Sequence, residues 1–269
     1  MKLLAIILAA AAVSPAMAKP RAVSLDYCAD QYLLALADGD QIAAASRGAD
    51  KDYSFQRERG AAVRRIRPDA EEVLALSPDV VLRQWGGGAN AERTFGRFGA
   101  RVVSLGFPED FDGVRENVRI AAEALGQRAR GEEIITQMDE RLDALATHPV
   151  NTRALYVTPG GVTAGRHTMI DAIMRAAGLR NITAEEGKEY WPSLPAETLL
   201  LAPPDMVVAG FFDNRDERIN YWSASRHPAL KRVLAGRPTV YLSADLISCA
   251  APSSVEAAEK ISASIGSAR

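Results

Sequence analysis

Residues 70–82 read AEEVLALSPDVVL, and residues 196–208 read AETLLLAPPDMVV. The two stretches agree at six offsets, which are Ala70/Ala196, Glu71/Glu197, Leu74/Leu200, Pro78/Pro204, Asp79/Asp205 and Val81/Val207. In each stretch, apolar residues at helical spacing precede a Pro-Asp pair and a short apolar run, which predicts a helix, a turn and a buried strand. Because the same unit occurs twice, the sequence predicts two similar lobes.

The rest of the chain repeats this alternation of strand and helix. Short apolar runs at 22–25, 41–46, 101–106, 153–158 and 239–243 read as further strands, and their alternation with helical segments indicates parallel sheets covered on both faces. Between the two halves, residues 111–147 have a helical composition that Gly126 and Gly131 divide into two segments. In the second segment the apolar residues fall on one face and the charges elsewhere, which is typical of a connector helix.

The predicted fold class is therefore α/β, with two Rossmann-like lobes of parallel sheet joined by a single long bridging helix and a ligand cleft between the lobes. The predicted division is a signal peptide at 1–18, an N-terminal lobe at 19–127, the bridging helix at 128–150 and a C-terminal lobe at 151–269. The alternative is one continuous doubly wound sheet with a long crossover helix.

The N-terminus predicts export. Lys2 precedes an apolar run that is too short to span a bilayer, and the small-residue ending Ala16-Met17-Ala18 is typical of a cleavage site. We expect cleavage after Ala18 and a periplasmic protein, the alternative being a buried N-terminal helix. No cysteine follows Ala18, which argues against a lipid anchor.

Composition narrows the function further. The formal charge of -2 provides no basic face for nucleic acid. The two cysteines, Cys28 and Cys249, lie almost at opposite ends of the exported chain, and three interpretations stay open: a disulfide, two unpaired thiols, or contacts to a metal or ligand. A disulfide that crossed the cleft would also limit the opening of the lobes.

Taken together, the signal peptide, the two lobes and the single bridging helix resemble the periplasmic substrate-binding proteins of metal-chelate ABC importers, which serve cobalamin, ferric siderophores and haem. The segment RQWGGGANAER (83–93) is similar to a loop of the cobalamin-binding members, and residues 158–182 and 190–208 resemble the family's second-lobe pattern. The resemblance implies a monomeric binding protein rather than an enzyme, with an ABC permease and its ATPase as partners. It implies no intrinsic cofactor and a bound chelate that contains cobalt or iron. The cobalamin- and siderophore-type members of this family do not need cysteines at these two positions, which leaves the exact ligand open.

The resemblance also suggests a role for the repeated glutamate. In this family one exposed glutamate on each lobe docks onto arginines of the permease, and the matching positions are Glu71 and Glu197. The alternative is that each glutamate only complements the dipole at the start of its helix.

Candidate ligand residues follow the predicted strands, because ligands of doubly wound sheets bind beyond the carboxyl ends of the strands. Flat aromatic side chains suit a large planar chelate, glycines allow close approach of the backbone, and arginines suit anionic oxygens. The predicted ligand residues are Tyr27, Arg83, Trp85, Gly86, Gly87, Arg166, His167, Trp191 and Phe212. For each of them a packing or solvated role is the alternative, and no metal ligand is predicted.

Two other functions fit the sequence less well. An enzyme would need residues for nucleophilic or phosphoryl chemistry. The sequence offers few of them, since it has only three histidines, no G-x-S-x-G motif and no P-loop. Asp26, Glu189 and Asp213 are carboxylates to which spacing assigns no partner. A carrier of a bare metal ion would need three or four converging ligands, and only His167 falls in a predicted cleft loop.

Overall fold

The computed structural model describes residues 19–146, 151–194, 203–212 and 235–267. The predicted signal peptide at 1–18 and the second docking glutamate, Glu197, lie outside the described residues. Within those ranges, no helix combines the length and the apolar character that crossing a bilayer requires.

The N-terminal lobe is built on a sheet of five parallel strands in the order β3-β2-β1-β4-β5. The strands are β1 (Ala22–Ser24), β2 (Ile42–Ser46), β3 (Arg65–Ile66), β4 (Val80–Arg83) and β5 (Arg101–Ser104). The helices are α1 (Tyr27–Leu36), α2 (Arg57–Ala61), α3 (Ala70–Leu74), α4 (Ala91–Gly96) and α5 (Phe111–Ala124). In β4 the side chains of Val80 and Leu82 enter the core on one face of the sheet and Val81 enters the core on the other. A strand that is buried on both faces explains the uninterrupted apolar run in its sequence.

The C-terminal lobe repeats the design with four parallel strands in the order β7-β6-β8-β9. Its strands are β6 (Arg153–Val157), β7 (Arg180–Asn181), β8 (Met206–Gly210) and β9 (Thr239–Leu242). The described helices of this lobe are α7 (Met169–Ala176), α8 (Ile182–Glu185), α9 (Ala244–Ile247) and α10 (Ser254–Ser267).

The two similar stretches, residues 70–82 and 196–208, make the same contact in their lobes through Asp79 and Asp205. The carboxylate of Asp79 accepts the backbone N–H of Arg21 at 2.8 Å, just before β1. The carboxylate of Asp205 accepts the backbone N–H of Arg153 at 3.1 Å, at the start of β6. The aspartate of each Pro-Asp pair therefore joins the strand that follows it to a neighbouring inner strand of its sheet, β1 or β6, and the prediction of two similar lobes is confirmed.

One long helix connects the lobes. Helix α6 (Arg128–Ala146) follows α5, and its buried Ile135 and Met138 lie on the face that the sequence pattern predicts. The predicted break at Gly131 is wrong, because this residue lies inside α6. A β-carbon at Gly131 would come within 2.6 Å of the Ala122 methyl, so the glycine lets α5 and α6 pack closely instead of ending a helix.

The two lobes also meet through residues that follow strands. Cys28, in the first turn of α1 after β1, forms a disulfide with Cys249, which follows β9 and α9. On another strand of each sheet, His167 follows β6 and contacts Glu109, which follows β5, at 3.0 Å. Because all four residues lie beyond carboxyl ends of strands, the carboxyl edges of the two sheets face each other. The predicted fold of two α/β lobes with a helical connection and a cleft between them is therefore confirmed.

Candidate ligand site

The N-terminal lobe places an aromatic side chain after each of four strands. Tyr27 follows β1, Tyr53 follows β2, Trp85 follows β4 and Phe107 follows β5. The rings form a continuous row: Tyr27 lies 4.8 Å from Tyr53 and 5.1 Å from Trp85 by ring centroids, and Trp85 stacks on Phe107 at 6.3 Å with an interplanar angle of 19°. We call this row the N-wall. Trp85 is 40% exposed and Phe107 is 70% exposed, so the N-wall offers aromatic surface at the edge that faces the other lobe.

The loop after β4 is held against the end of β1. The Asp26 carboxylate accepts the backbone N–H groups of Trp85 at 3.1 Å and Gly86 at 3.0 Å. A β-carbon at Gly86 would lie 2.5 Å from the carbonyl oxygen of Leu25, so only glycine allows the two loops to approach this closely. Arg83 donates from Nη2 to the carbonyl oxygen of Trp85 at 3.2 Å. The predicted residues Arg83 and Gly86 thus build the loop that presents Trp85.

Gly87 belongs to the same turn. Its φ is 78°, in the left-handed region that favours glycine. A β-carbon there would lie 2.7 Å from Leu25 Cδ1, so this position also fits the loop to the lobe beneath it.

The C-terminal lobe builds its wall in a different way. Residues 161–166 run beside residues 188–194, with the N–H of Gly165 donating to the carbonyl of Tyr190 at 2.8 Å and that of Thr163 donating to Pro192 at 3.0 Å. This ladder presents Tyr190 and Trp191, which are both more than half exposed. The Trp191 ring packs edge-on against the buried Tyr156 of β6, with 6.4 Å between centroids. Phe212, after β8, contacts the Tyr241 ring at 6.1 Å. We call Tyr190, Trp191 and Phe212 the C-wall.

Three non-glycine residues in or beside the C-wall have left-handed backbone. His167, Tyr190 and Phe211 have φ values of 62°, 55° and 64°, which residues with a β-carbon rarely adopt. The His167 and Tyr190 rings lie 5.7 Å apart. Such outliers cluster at binding sites, where the surrounding structure holds them in place.

Contacts between the lobes lie on either side of the walls. On one side, next to the disulfide, Arg57 Nη1 pairs with Asp245 Oδ2 at 2.9 Å and the Tyr32 hydroxyl donates to the Ala250 carbonyl at 2.8 Å. Tyr32 and Arg57 follow the neighbouring strands β1 and β2, and Asp245 and Ala250 follow the edge strand β9. These contacts therefore lie on the same flank of the cleft.

The other flank has a charged cavity. A cavity of about 630 Å³ lies beside the contact between His167 and Glu109 and is also lined by Arg166, Arg175 and Arg180. Each of these arginines already has a carboxylate of its own lobe within 3.5 Å. The structure therefore separates the predicted residues Arg166 and His167, which line this cavity, from Tyr27, Arg83, Trp85, Gly86 and Gly87, which form or support the N-wall.

The chemistry of the site favours neutral, aromatic contacts. Burial, with smaller contributions from Tyr53 and Asp26, raises the pKa of Tyr27 above its ordinary value, so its phenol is a neutral hydrogen-bonding group at neutral pH. Throughout the described ranges, no three His, Cys, Asp or Glu side chains are grouped so that they could hold a metal ion.

A sequence model of the family described as periplasmic binding protein matches residues 23–221. The chain belongs to the periplasmic binding protein family. Members of this family are substrate-binding proteins of transport systems and not enzymes.

Among the relatives of this periplasmic binding protein is a "Cobalamin-binding protein" of Halobacterium salinarum, which is 28% identical over 202 residues. That match covers 72% of this chain but only 55% of the relative, so the chain spans about half of the length of that protein. A periplasmic haem-binding protein of Roseiflexus sp. RS-1 in its apo form has a TM-score of 0.70 at 21% identity, with 92% of this chain and 99% of the other covered. A periplasmic vitamin B12-binding protein of Vibrio cholerae has a TM-score of 0.67 at 18% identity, with 92% and 97% covered. At this identity the two structures share the fold with the periplasmic binding protein described here.

Sequence reasoning missed part of the N-wall. Tyr53 and Phe107 were not predicted as site residues, although each follows a strand, and Asp26 had no assigned partner. Of the three interpretations of the cysteines, the structure has the disulfide between Cys28 and Cys249, with 5.3 Å between the Cα atoms.

Proposed function

We propose that this chain is the periplasmic solute-binding component of an ABC importer. It captures a metal chelate, cobalamin or a ferric siderophore, and delivers it to the inner-membrane permease and its ATPase. In this proposal the protein is exported to the periplasm with cleavage after Ala18, acts as a monomer and has no cofactor of its own. Cobalt or iron enters as part of the cargo.

The observation that supports this proposal most strongly is the pair of aromatic walls at facing carboxyl edges. A large chelate with apolar faces is held by ring surfaces, which bury much area and require few charges. The cobalamin-binding relative agrees with this cargo class. A carrier of free metal ions is the weaker alternative, because the described residues offer no cluster of metal ligands. An enzyme is disfavoured by the family itself.

Titration of the purified protein with cyanocobalamin, haemin and ferrichrome, followed by tryptophan fluorescence, tests the cargo class. We expect saturable quenching by one of the three chelates at a 1:1 ratio, and no response to free Co²⁺ or Fe³⁺. Saturable binding of the free ion without a chelate would overturn the proposal in favour of the metal-ion carrier.

Glu71 is the docking residue that we propose for the N-terminal lobe. It is exposed in the first turn of α3, and that turn lies at the carboxyl edge of the sheet, on the side of the cleft. Its neighbour Glu72 accepts the N–H of Arg67 at 2.9 Å, whereas the Glu71 carboxylate has no ion-pair partner within the part of the chain that the structure describes. A free charge at the rim suits a partner that must bind and then release. Glu197, its counterpart in the repeat, is proposed for the same role on the other lobe.

The double substitution Glu71→Ala with Glu197→Ala tests docking. We expect unchanged chelate affinity and strongly reduced uptake, because only the contact with the permease is removed. Glu92→Ala is the matched control, since Glu92 is an exposed glutamate in the first turn of α4 at the same edge. If the double variant transports as well as the control, docking through these two glutamates is wrong.

A further inference from the structure

Asp26 uses both of its carboxylate oxygens, and they bind different parts of the lobe. The side chain is 4% exposed. Oδ1 accepts the N–H of Ala29 at 2.9 Å and caps α1. Oδ2 accepts three successive N–H groups from the loop after β4, those of Gln84 at 2.7 Å, Trp85 at 3.1 Å and Gly86 at 3.0 Å. One buried carboxylate thus joins the start of α1 to the turn that presents Trp85.

Three successive backbone N–H groups that converge on one point form an anion-binding concavity. This one lies between β1 and β4, where the strand order of the sheet reverses, because β2 and β4 flank β1 on opposite sides. The place where strand order reverses is where open α/β sheets commonly bind their ligands. In this protein the chain's own carboxylate occupies the concavity.

We propose that Asp26 is the positioning residue of the N-wall and that it determines how the N-terminal lobe contacts its ligand. The Asp26 carboxylate fixes the Trp85 loop so that the Trp85 ring lies edge-on against Tyr27, at 5.1 Å and 73°. It also occupies the backbone N–H groups of this loop, so the lobe meets the chelate with ring surfaces and does not bind an anionic group of the cargo there. This inference rests on the proposed binding of a chelate at the two walls.

Helix capping alone does not account for this arrangement. Asp69 caps α3 and Asp110 caps α5 in the same lobe, and each does so with one oxygen on one N–H while its side chain is exposed. The second oxygen of Asp26 instead reaches residues that lie 58 to 60 positions further along the chain. That contact involves the Trp85 loop and is absent at the other two caps.

The test compares Asp26→Ala with Asp69→Ala, which removes a cap and leaves the N-wall untouched. Trp85 is observed alone in a background that carries Trp191→Phe and Trp222→Phe, since the chain has three tryptophans. In Asp26→Ala we expect a shifted Trp85 emission spectrum and weakened near-UV circular dichroism, and no such change in Asp69→Ala. The binding test uses Asp26→Ala with Trp191 and Trp222 left in place. This variant should bind the chelate identified by titration roughly tenfold more weakly than wild type.

Formate provides the readout that a general loss of structure would not change. Added formate can occupy the empty concavity as the missing carboxylate, so it should restore both the Trp85 signal and the affinity of Asp26→Ala. Formamide, which is neutral, and sodium chloride at equal ionic strength should restore neither. If Asp26→Ala does not fold, Asp26→Ser keeps an oxygen for the cap and is used with the same additions.

Two results would overturn the positioning role: a Trp85 signal that is unchanged in Asp26→Ala, or a changed signal that formate does not restore. Failure of the proposed function itself would look different. In that case Trp85→Ala would retain full chelate affinity, while the formate-dependent Trp85 signal of Asp26→Ala could still be observed.

Discussion

The two walls of the cleft present similar aromatic surface but are built in opposite ways. The N-wall has ordinary backbone at all four aromatic residues and is held by ring contacts and by the buried carboxylate of Asp26. In the C-wall, the left-handed backbone at Tyr190 is held by a ladder of backbone hydrogen bonds, and the neighbouring positions His167 and Phe211 are left-handed as well. Strained backbone is maintained only where the surroundings enforce it, so we infer that the ladder holds Tyr190 in its position, whereas side-chain contacts hold the rings of the N-wall.

The largest expected effect comes from removing the disulfide that links the two lobes beside the walls. Cys28→Ser with Cys249→Ser opens a loop with a sequence separation of 221, and the chain-entropy account gives a loss of about 5 kcal/mol in the free energy of unfolding. Urea unfolding of the oxidised wild type and the double variant measures this loss. A loss below about 1 kcal/mol would mean that the disulfide does little to hold the lobes together.

The next largest effect is a pH dependence of the free energy of unfolding, and it arises from Asp30 in the N-terminal lobe. Asp30 is completely buried and accepts from the hydroxyls of Ser24 and Ser46, with no cation beside it among the described residues. Burial raises its pKa from 3.8 to about 6. Because the folded pKa is the higher one, folding favours the protonated form: the stabilisation is complete below pH 3.8 and is lost as the pH rises through 6.

Asp30→Asn removes this titration. The difference in free energy of unfolding between wild type and Asp30→Asn should therefore change by about 3 kcal/mol between pH 3.5 and pH 7.5, with the wild type relatively more stable in acid. Asp171→Asn is the control in the other lobe, where Arg175 pairs with the buried carboxylate at 3.0 Å. A difference that does not vary with pH would contradict the raised pKa of Asp30.

Each wall has a glycine at which the backbones of two segments approach closely. A β-carbon would lie 2.5 Å from the Leu25 carbonyl oxygen at Gly86 and 2.5 Å from the Lys188 carbonyl oxygen at Gly165. We expect Gly86→Ala and Gly165→Ala each to lower the free energy of unfolding by roughly 1–3 kcal/mol, because backbone must move. Gly160→Ala is the matched control, since nothing lies within 4 Å of its β-carbon position. Chemical denaturation that gave equal stability for all three variants would show that the close approaches are relaxed in solution.

The smallest effect tests the strain itself. At His167, where φ is 62°, the glycine variant should be more stable than the alanine variant by about 1 kcal/mol. At Trp85 the alanine variant should instead be more stable than the glycine variant, by roughly 0.5–1 kcal/mol, because glycine there only adds freedom to the unfolded chain. Thermal unfolding of the four variants measures both differences. If the same residue, glycine or alanine, were the more stable at both positions, the backbone at His167 and at Trp85 would not differ in strain.

The architecture could be predicted from the sequence for two reasons. The stretch at 70–82 recurs at 196–208, and strands that are buried on both faces appear in the sequence as apolar runs. The two-residue strands β3 and β7 were not predicted, since they lie at sheet edges and start with Arg65 and Arg180 instead of an apolar run. Trp85 and Trp191 were identified by their place after or near a strand, and the same rule applied to every strand would have found Tyr53 and Phe107.

Other features of the site depend on contacts between distant parts of the chain. The role of Asp26 follows from hydrogen bonds to residues about 60 positions away, and the disulfide follows from the way in which the two carboxyl edges meet. Local patterns contain no information on either contact. His167, whose left-handed backbone the pattern of apolar residues does not predict, lies at the cleft.

The most direct test of the account is the affinity of single-wall variants for the same chelate. Isothermal titration of wild type, Trp85→Ala, Trp191→Ala and Phe98→Ala would use whichever of cyanocobalamin, haemin or ferrichrome binds. Phe98 is the control, because it is an exposed aromatic residue in the turn before β5, at the opposite edge of the sheet. We predict that both tryptophan variants bind at least about tenfold more weakly, since one ligand contacts both walls, and that Phe98→Ala binds like wild type. Unchanged affinity in either tryptophan variant would contradict a ligand held between the two walls.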